Sequence, residues 1–135
     1  YIVLTIVVVF SLVGCASKRS ANTQKPSDWH IDSTAVDDSL VYELVVTDIG
    51  YETYLATLPY SKDYYSDSYY RSWNIRYVQE WNMRCMDPIR YGNMYEYAIP
   101  YDANIDYGLE FNYRLYHYFL FFEKTYRVKL LPRGR

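Results

Sequence analysis

Tyr70, Trp73, Tyr77 and Trp81 recur at i, i+3, i+7 and i+11, which places them in one stripe along a helix. Val78 and Cys85 widen the stripe, while Arg71, Gln79 and Asn82 lie elsewhere on the wheel. Ser66 or Asp67 can cap the start, and Asp87-Pro88 stops the run, so a helix is expected over about 67–86. A second helix is expected from about Tyr107 to Arg127, with Asp106 as its cap. Leu109, Tyr113, Tyr116 and Leu120 form one line on it, and Leu115, Phe119, Phe122 and Tyr126 an adjoining one. Together they fill more than half the circumference, so this helix belongs at the centre of a small domain. Two such faces are too large to leave in water. Trp73, Tyr77 and Trp81 are expected to face Tyr113, Tyr116 and Phe119.

Leu40–Asp48 reads as a strand, rich in β-branched and aromatic residues and ended by Ile49-Gly50. Tyr42, Leu44 and Val46 share one face; Val41, Glu43, Val45 and Thr47 share the other. A lone strand leaves its backbone unpaired, and the segment 95–99 is the expected partner. Tyr51, Tyr54, Leu55 and Leu58 predict a short helix before Pro59. The expected fold class is α+β, mostly helical: two long packed aromatic-faced helices, a short helix and a small two-stranded sheet. The globular domain is expected over 39–131, with residues 129–135 a frayed tail.

Residues 1–14 form an uncharged apolar run, shorter than the ~20 residues a spanning helix needs. The run fits the apolar region of a secretory signal, and the absence of an initiator Met and a basic region reads as a truncated front. Leu12-Val13-Gly14-Cys15 then resembles the bacterial lipobox, which implies that Cys15 becomes the lipidated first residue of the mature protein. Two or three acyl chains on one residue anchor firmly. In envelope lipoproteins the residues after the Cys can act as a sorting signal; residue 16 is Ala rather than Asp and no acidic cluster precedes Asp28, so the resemblance implies the outer membrane, facing the periplasm. Residues 15–38, rich in Ser, Thr, Asn, Lys and Asp, read as a lipid-anchored flexible tether. Within it, His30 beside Asp28 and Asp32 has no second His to complete a metal set, and Trp29 reads as a docking residue.

Fourteen Lys and Arg against 16 Asp and Glu give a net charge of −2, without the basic excess of a nucleic-acid binder. The thiols are Cys15 and Cys85; the histidines are His30 and His117. No spacing supports a Cys85–His117 pair, no Gly-x-Ser-x-Gly elbow is present, and the five glycines form no phosphate-cradling loop. Cys85 is expected to be largely buried against the stripe. Asp102, Asn104, Asp106 and Glu110 stand at positions 1, 3, 5 and 9 of a calcium-loop spacing. Tyr107 occupies the glycine position and Tyr113 the position of the bidentate Glu, so an Asx-rich turn before the last helix competes with that reading. No metal, cofactor or catalytic set is assigned. The 19 Tyr, 5 Phe and 3 Trp make 20% of the chain aromatic. So many tyrosines exceed what a core absorbs, because each buried hydroxyl wants a partner, so some line a surface or groove.

Asn74–Asn82, Pro88–Gly92, Ile105–Tyr113, Leu115-Tyr116 and Tyr118-Phe119 resemble a family of small uncharacterised bacterial lipoproteins with a single Tyr-rich domain of unknown function. The resemblance covers about residues 40–127 and the lipobox, and implies an anchored single domain without an assigned activity. The expected function is a non-enzymatic binding or structural module of the cell envelope, anchored through Cys15. Its expected partners are the membrane through the anchor and an envelope protein or glycan, with no nucleic acid. The alternative is a glycan- or peptide-acting enzyme using a carboxylate pair such as Glu80 and Glu110 in an aromatic groove.

Overall fold

The computed structural model describes residues 29–36 and 39–132, with side chains described for 29–35 and 41–132. The order is β1 (Trp29–Val36), β2 (Ser39–Val46), α1 (Ile49–Ala56), a 3₁₀ turn (Lys62–Tyr64), α2 (Asp67–Cys85), α3 (Pro88–Tyr91), a second 3₁₀ turn (Gly92–Met94) and α4 (Gly108–Tyr126). The fold is α+β and mostly helical, with a small two-stranded antiparallel sheet.

Each helix starts where a short polar side chain can take an orphan backbone N–H. Asp48 Oδ1 accepts from Gly50 at the head of α1, Ser66 Oγ from Tyr69 at α2, and Asp87 Oδ1 from Arg90 at α3. Asp106 acts one residue earlier than a cap of α4 would. Its Oδ1 accepts from the N–H of Gly108, while Tyr107 holds the cap position. Gly108 has φ +81°, a left-handed conformation that glycine adopts without a Cβ penalty.

The two long helices pack through their aromatic faces. Ring centroids of Tyr70 and Tyr113 lie 5.6 Å apart, Tyr77 stacks on Phe119 at 4.8 Å, and Trp81 meets Phe122 edge-on at 4.8 Å. Residue numbers on both helices rise together, so α2 and α4 run parallel. Trp81, Tyr77 and Phe119 are fully buried, as expected, whereas Trp73 is only partly buried at the rim against Tyr69 and Tyr77. The core face of β2 is the Tyr42, Leu44 and Val46 face: Leu44 is buried, its two neighbours are half-buried, and Val41 is exposed.

A parallel pair needs the connection to travel back the whole length of α2, and residues 95–103 do this. Trp81 Nε1 donates to the carbonyl of Tyr97 at 2.9 Å. Asn82 both donates to the carbonyl of Ile99 (3.0 Å) and accepts from its N–H (2.7 Å). Arg71 donates to the carbonyl of Ala103. The segment 95–99 is therefore not the partner of β2. Side chains of α2 satisfy its backbone groups, so it needs no ladder.

The partner of β2 is β1, in register from Trp29 opposite Val46 to Val36 opposite Ser39. Residues 29–36, expected as the end of the tether, form a strand instead. A neighbour in sequence closes a hairpin at little entropic cost, and Trp29 and Ile31 pack onto the core. The first part of the expected tether, the apolar run and Cys15 lie outside the described residues. The tail is also docked as far as it is described. Leu130 is buried, its N–H donates to Glu123 Oε1 at 2.8 Å, and Arg84 reaches the carbonyl of Lys129 at 2.8 Å.

Candidate functional site

Pro59 ends the chain's course after α1, and the next turn and a half presents tyrosines outward. Tyr60, Tyr64 and Tyr65 are 57%, 53% and 42% exposed, far above what a core residue shows. Tyr60 stacks on Tyr64 at 4.1 Å, Tyr64 meets Tyr65 edge-on at 4.7 Å, and Tyr65 stacks on Tyr69 of α2 at 4.1 Å. The result is a ladder of four rings on the surface. Burial pushes the Tyr70 and Tyr113 hydroxyls up. Both rings stand behind the ladder and close a cavity of about 50 Å³ with Leu58, Ser61 and His117.

His117 is packed between Tyr113 (4.5 Å), Tyr116 (5.1 Å) and Tyr70 (6.3 Å), and its Nδ1 is buried without a partner among the described residues. Burial lowers its pKa from the ordinary 6.5 to about 4. The folded protein therefore holds the ring neutral, while the unfolded chain takes up a proton below pH 6.5. Stability is fully present above pH 6.5 and falls as pH drops from there through about 4. With solvent screening of a partly exposed ring, the loss is about 1–2 kcal/mol. Urea unfolding at stepped pH checks this, and His117→Phe is expected to flatten that acid limb.

A second feature lies at the start of α4. An open groove of about 760 Å³ runs between residues 41–44 of β2 and residues 106–111. Its floor is apolar, made by Leu44, Tyr107 and Phe111, and Tyr42 meets Tyr107 edge-on at 4.8 Å. Its rim is acidic: Glu43, Glu52, Asp106 and Glu110 line it together with Arg114. Arg114 pairs with Glu52, and Lys62 Nζ lies 2.7 Å from Glu110 Oε2. The Lys62–Glu110 pair joins the groove to the tyrosine ladder, since Lys62 sits between Tyr60 and Tyr64.

The residues singled out from the sequence scatter. Glu80 pairs with Arg84 at 2.7 Å, near the end of α2 that lies beside Lys129, whereas Glu110 stands in the first turn of α4. The parallel packing keeps these two carboxylates at opposite ends of the domain. Asp102 Oδ1 accepts from the backbone and the side chain of Asn104 (2.8 and 2.9 Å), Asp106 holds Gly108, and Glu110 holds Lys62. The calcium spacing is thus an Asx turn, and no group of three or more His, Cys, Asp or Glu suited to a metal occurs among the described residues. His30 and Asp32 form a 3.3 Å pair on the exposed side of β1. Cys85 is partly buried rather than largely buried, because it sits at the last turn of α2, where a shallow pocket with Pro88, Gly92 and Tyr95 opens beside it. His117 lies against Tyr70, about four turns along α2 from Cys85.

The tyrosine excess implied displayed rings, and the paired tyrosines at 64–65 and 69–70 were the local sign of where they fall. The groove had no local signal, since its walls come from segments more than sixty residues apart.

These features define a small, mostly helical α+β domain with a tyrosine-rich core, a displayed tyrosine ladder and an acidic groove. The chain belongs to a family of unknown function (DUF6146), whose profile matches residues 2–133. Searches of curated proteins and of solved structures found no match.

Proposed function

We propose that the protein is a bacterial cell-envelope lipoprotein, anchored through Cys15 in the outer membrane and facing the periplasm, whose domain binds an envelope protein or glycan rather than catalysing a reaction. The Leu12-Val13-Gly14-Cys15 sequence supports the anchor. The tyrosine ladder carries the binding reading. Tyr60, Tyr64 and Tyr65 are exposed rings that the core does not use, and exposed tyrosine is a rigid, amphipathic contact residue enriched at binding surfaces.

Site-specific photocrosslinking in intact cells tests the reading. A benzophenone side chain replacing Tyr64 is expected to give a discrete adduct, which a muralytic enzyme returns to the mass of the free protein for a glycan and leaves unchanged for a protein partner. The same probe at Ile89, which is 99% exposed and far from the ladder in sequence, is expected to give none. Equal, diffuse labelling from both positions would refute a binding surface at the ladder.

A further inference from the structure

Among the described residues the sheet has two strands, so β1 covers one edge of β2 and none of them pairs with the other. Among the described residues, no backbone hydrogen bond of 41–46 runs to anything except β1. In an antiparallel pair, alternate residues turn their N–H and C=O groups outward, and an uncovered row of such groups is a template for another strand. This free edge opens into the groove. Residues 41–44 form one wall, about 13 Å long at the rise of a strand, and residues 106–111 form the facing wall.

The charge of the groove selects the occupant. Glu43, Glu52, Asp106 and Glu110 line it; Arg114 pairs with Glu52 and Lys62 with Glu110, so Glu43 and Asp106 carry its unbalanced negative charge. Glu43 also lies directly across the sheet from Asp32, and like charges facing each other across a ladder are unfavourable until a cation joins them. A second copy of the chain would bring the same carboxylates to the edge, and anionic lipid or nucleic acid would be repelled. An extended cationic peptide is attracted, can pair with the edge, and can lay alternate apolar side chains on the Tyr42, Leu44 and Tyr107 floor.

We propose that this groove takes an extended Lys- or Arg-bearing segment of a partner protein, added as a third strand to the free edge of β2. The proposal rests on the reading of the domain as a binding module and names the partner chemistry of a site separate from the ladder.

The test uses the full chain in non-ionic detergent and a rhodamine-labelled ten-residue peptide of alternating Lys and Val, followed by fluorescence anisotropy. Binding is expected, weakening with added salt and falling about tenfold with Glu43→Lys, an exposed substitution that circular dichroism should show to be folded. The same peptide N-methylated at alternate residues keeps its charge but cannot extend a ladder, and is expected to bind at least about tenfold more weakly. Equal binding of the two peptides would overturn strand addition, and insensitivity to Glu43→Lys would overturn the location. Binding that appears only after Lys18, Arg19 and Lys25 are replaced by Glu would assign the groove to the chain's own basic segment and overturn the partner. Self-association of the chain that the peptide competes away would assign the edge to a second copy and overturn it equally. Tyr64 crosslinks that persist when the peptide fails to bind would leave the binding-module reading standing; their loss as well would remove both.

Discussion

Trp81→Ala is expected to unfold the domain or bring it close to unfolding. Trp81 is fully buried, meets Tyr95 edge-on at 5.0 Å and Phe122 at 4.8 Å, and donates through Nε1 to the carbonyl of Tyr97. Truncation opens a cavity at the junction of α2, α4 and the returning segment, and leaves a carbonyl without its donor. Truncating a buried Trp costs about 3–5 kcal/mol, against a total of about 5–15 kcal/mol for an ordinary domain. Trp29→Ala, at the partly buried start of β1, is expected to cost about 1 kcal/mol. Urea midpoints of the two variants compare them directly, and equal losses would show that Trp81 is not the centre of the core.

Asn112→Leu is the second large effect, and it is polar rather than apolar. Asn112 is 1% exposed and Asn74 is 0% exposed, an uncommon depth for amides. Asn112 Nδ2 donates to Asp67 Oδ1 at 2.8 Å, and its Oδ1 accepts from the Tyr101 hydroxyl at 2.8 Å. Its backbone carbonyl accepts from Asn74 Nδ2 at 2.9 Å. One side chain thus links the first turn of α2, the returning segment and α4. Burial pushes the Tyr101 hydroxyl up to about 12, so this group remains a donor throughout the neutral range. Leucine keeps the volume but leaves the Asp67 carboxylate and the Tyr101 hydroxyl without their partner. The expected cost is about 2–3 kcal/mol, since a stranded buried group costs about 1–3 kcal/mol, these two are only partly buried, and the effects overlap. Asn104→Ala on the exposed turn is expected to stay within about 0.5 kcal/mol. Chemical denaturation of both variants checks the pair, and a near-neutral Asn112→Leu would mean that the amide network adds nothing to the packing around it.

The long helices were readable because two local signals agreed: an aromatic period near 3.6 residues and polar caps at the boundaries. Ser66 and Asp87-Pro88 bracket α2 almost to the residue. The core-facing side of β2 was readable from its alternation for the same reason. Strand β1 was not. Asp32, Ser33 and Thr34 make its centre look like tether, and only Trp29 and Ile31 hint at a face. Its order comes from pairing with β2, a tertiary effect that composition does not carry. The parallel course of α2 and α4 was also hidden. It depends on Trp81 and Asn82 turning polar atoms toward the backbone of 97–99, a use of stripe-edge residues that periodicity does not distinguish from plain burial. The excess of tyrosine correctly implied displayed rings, but which ones are displayed depends on how 58–65 lies against the first half of α4.

We propose that this tyrosine-rich domain is held at the envelope by lipid on Cys15. The most direct measurement is the intact mass, with N-terminal fragmentation, of the native protein purified from its own cells. The expected result is a chain that begins at Cys15 and carries a diacylglyceryl group, with or without a further acyl chain on its amino group. A chain that retains residues 1–14, or one that begins elsewhere with Cys15 unmodified, would contradict it.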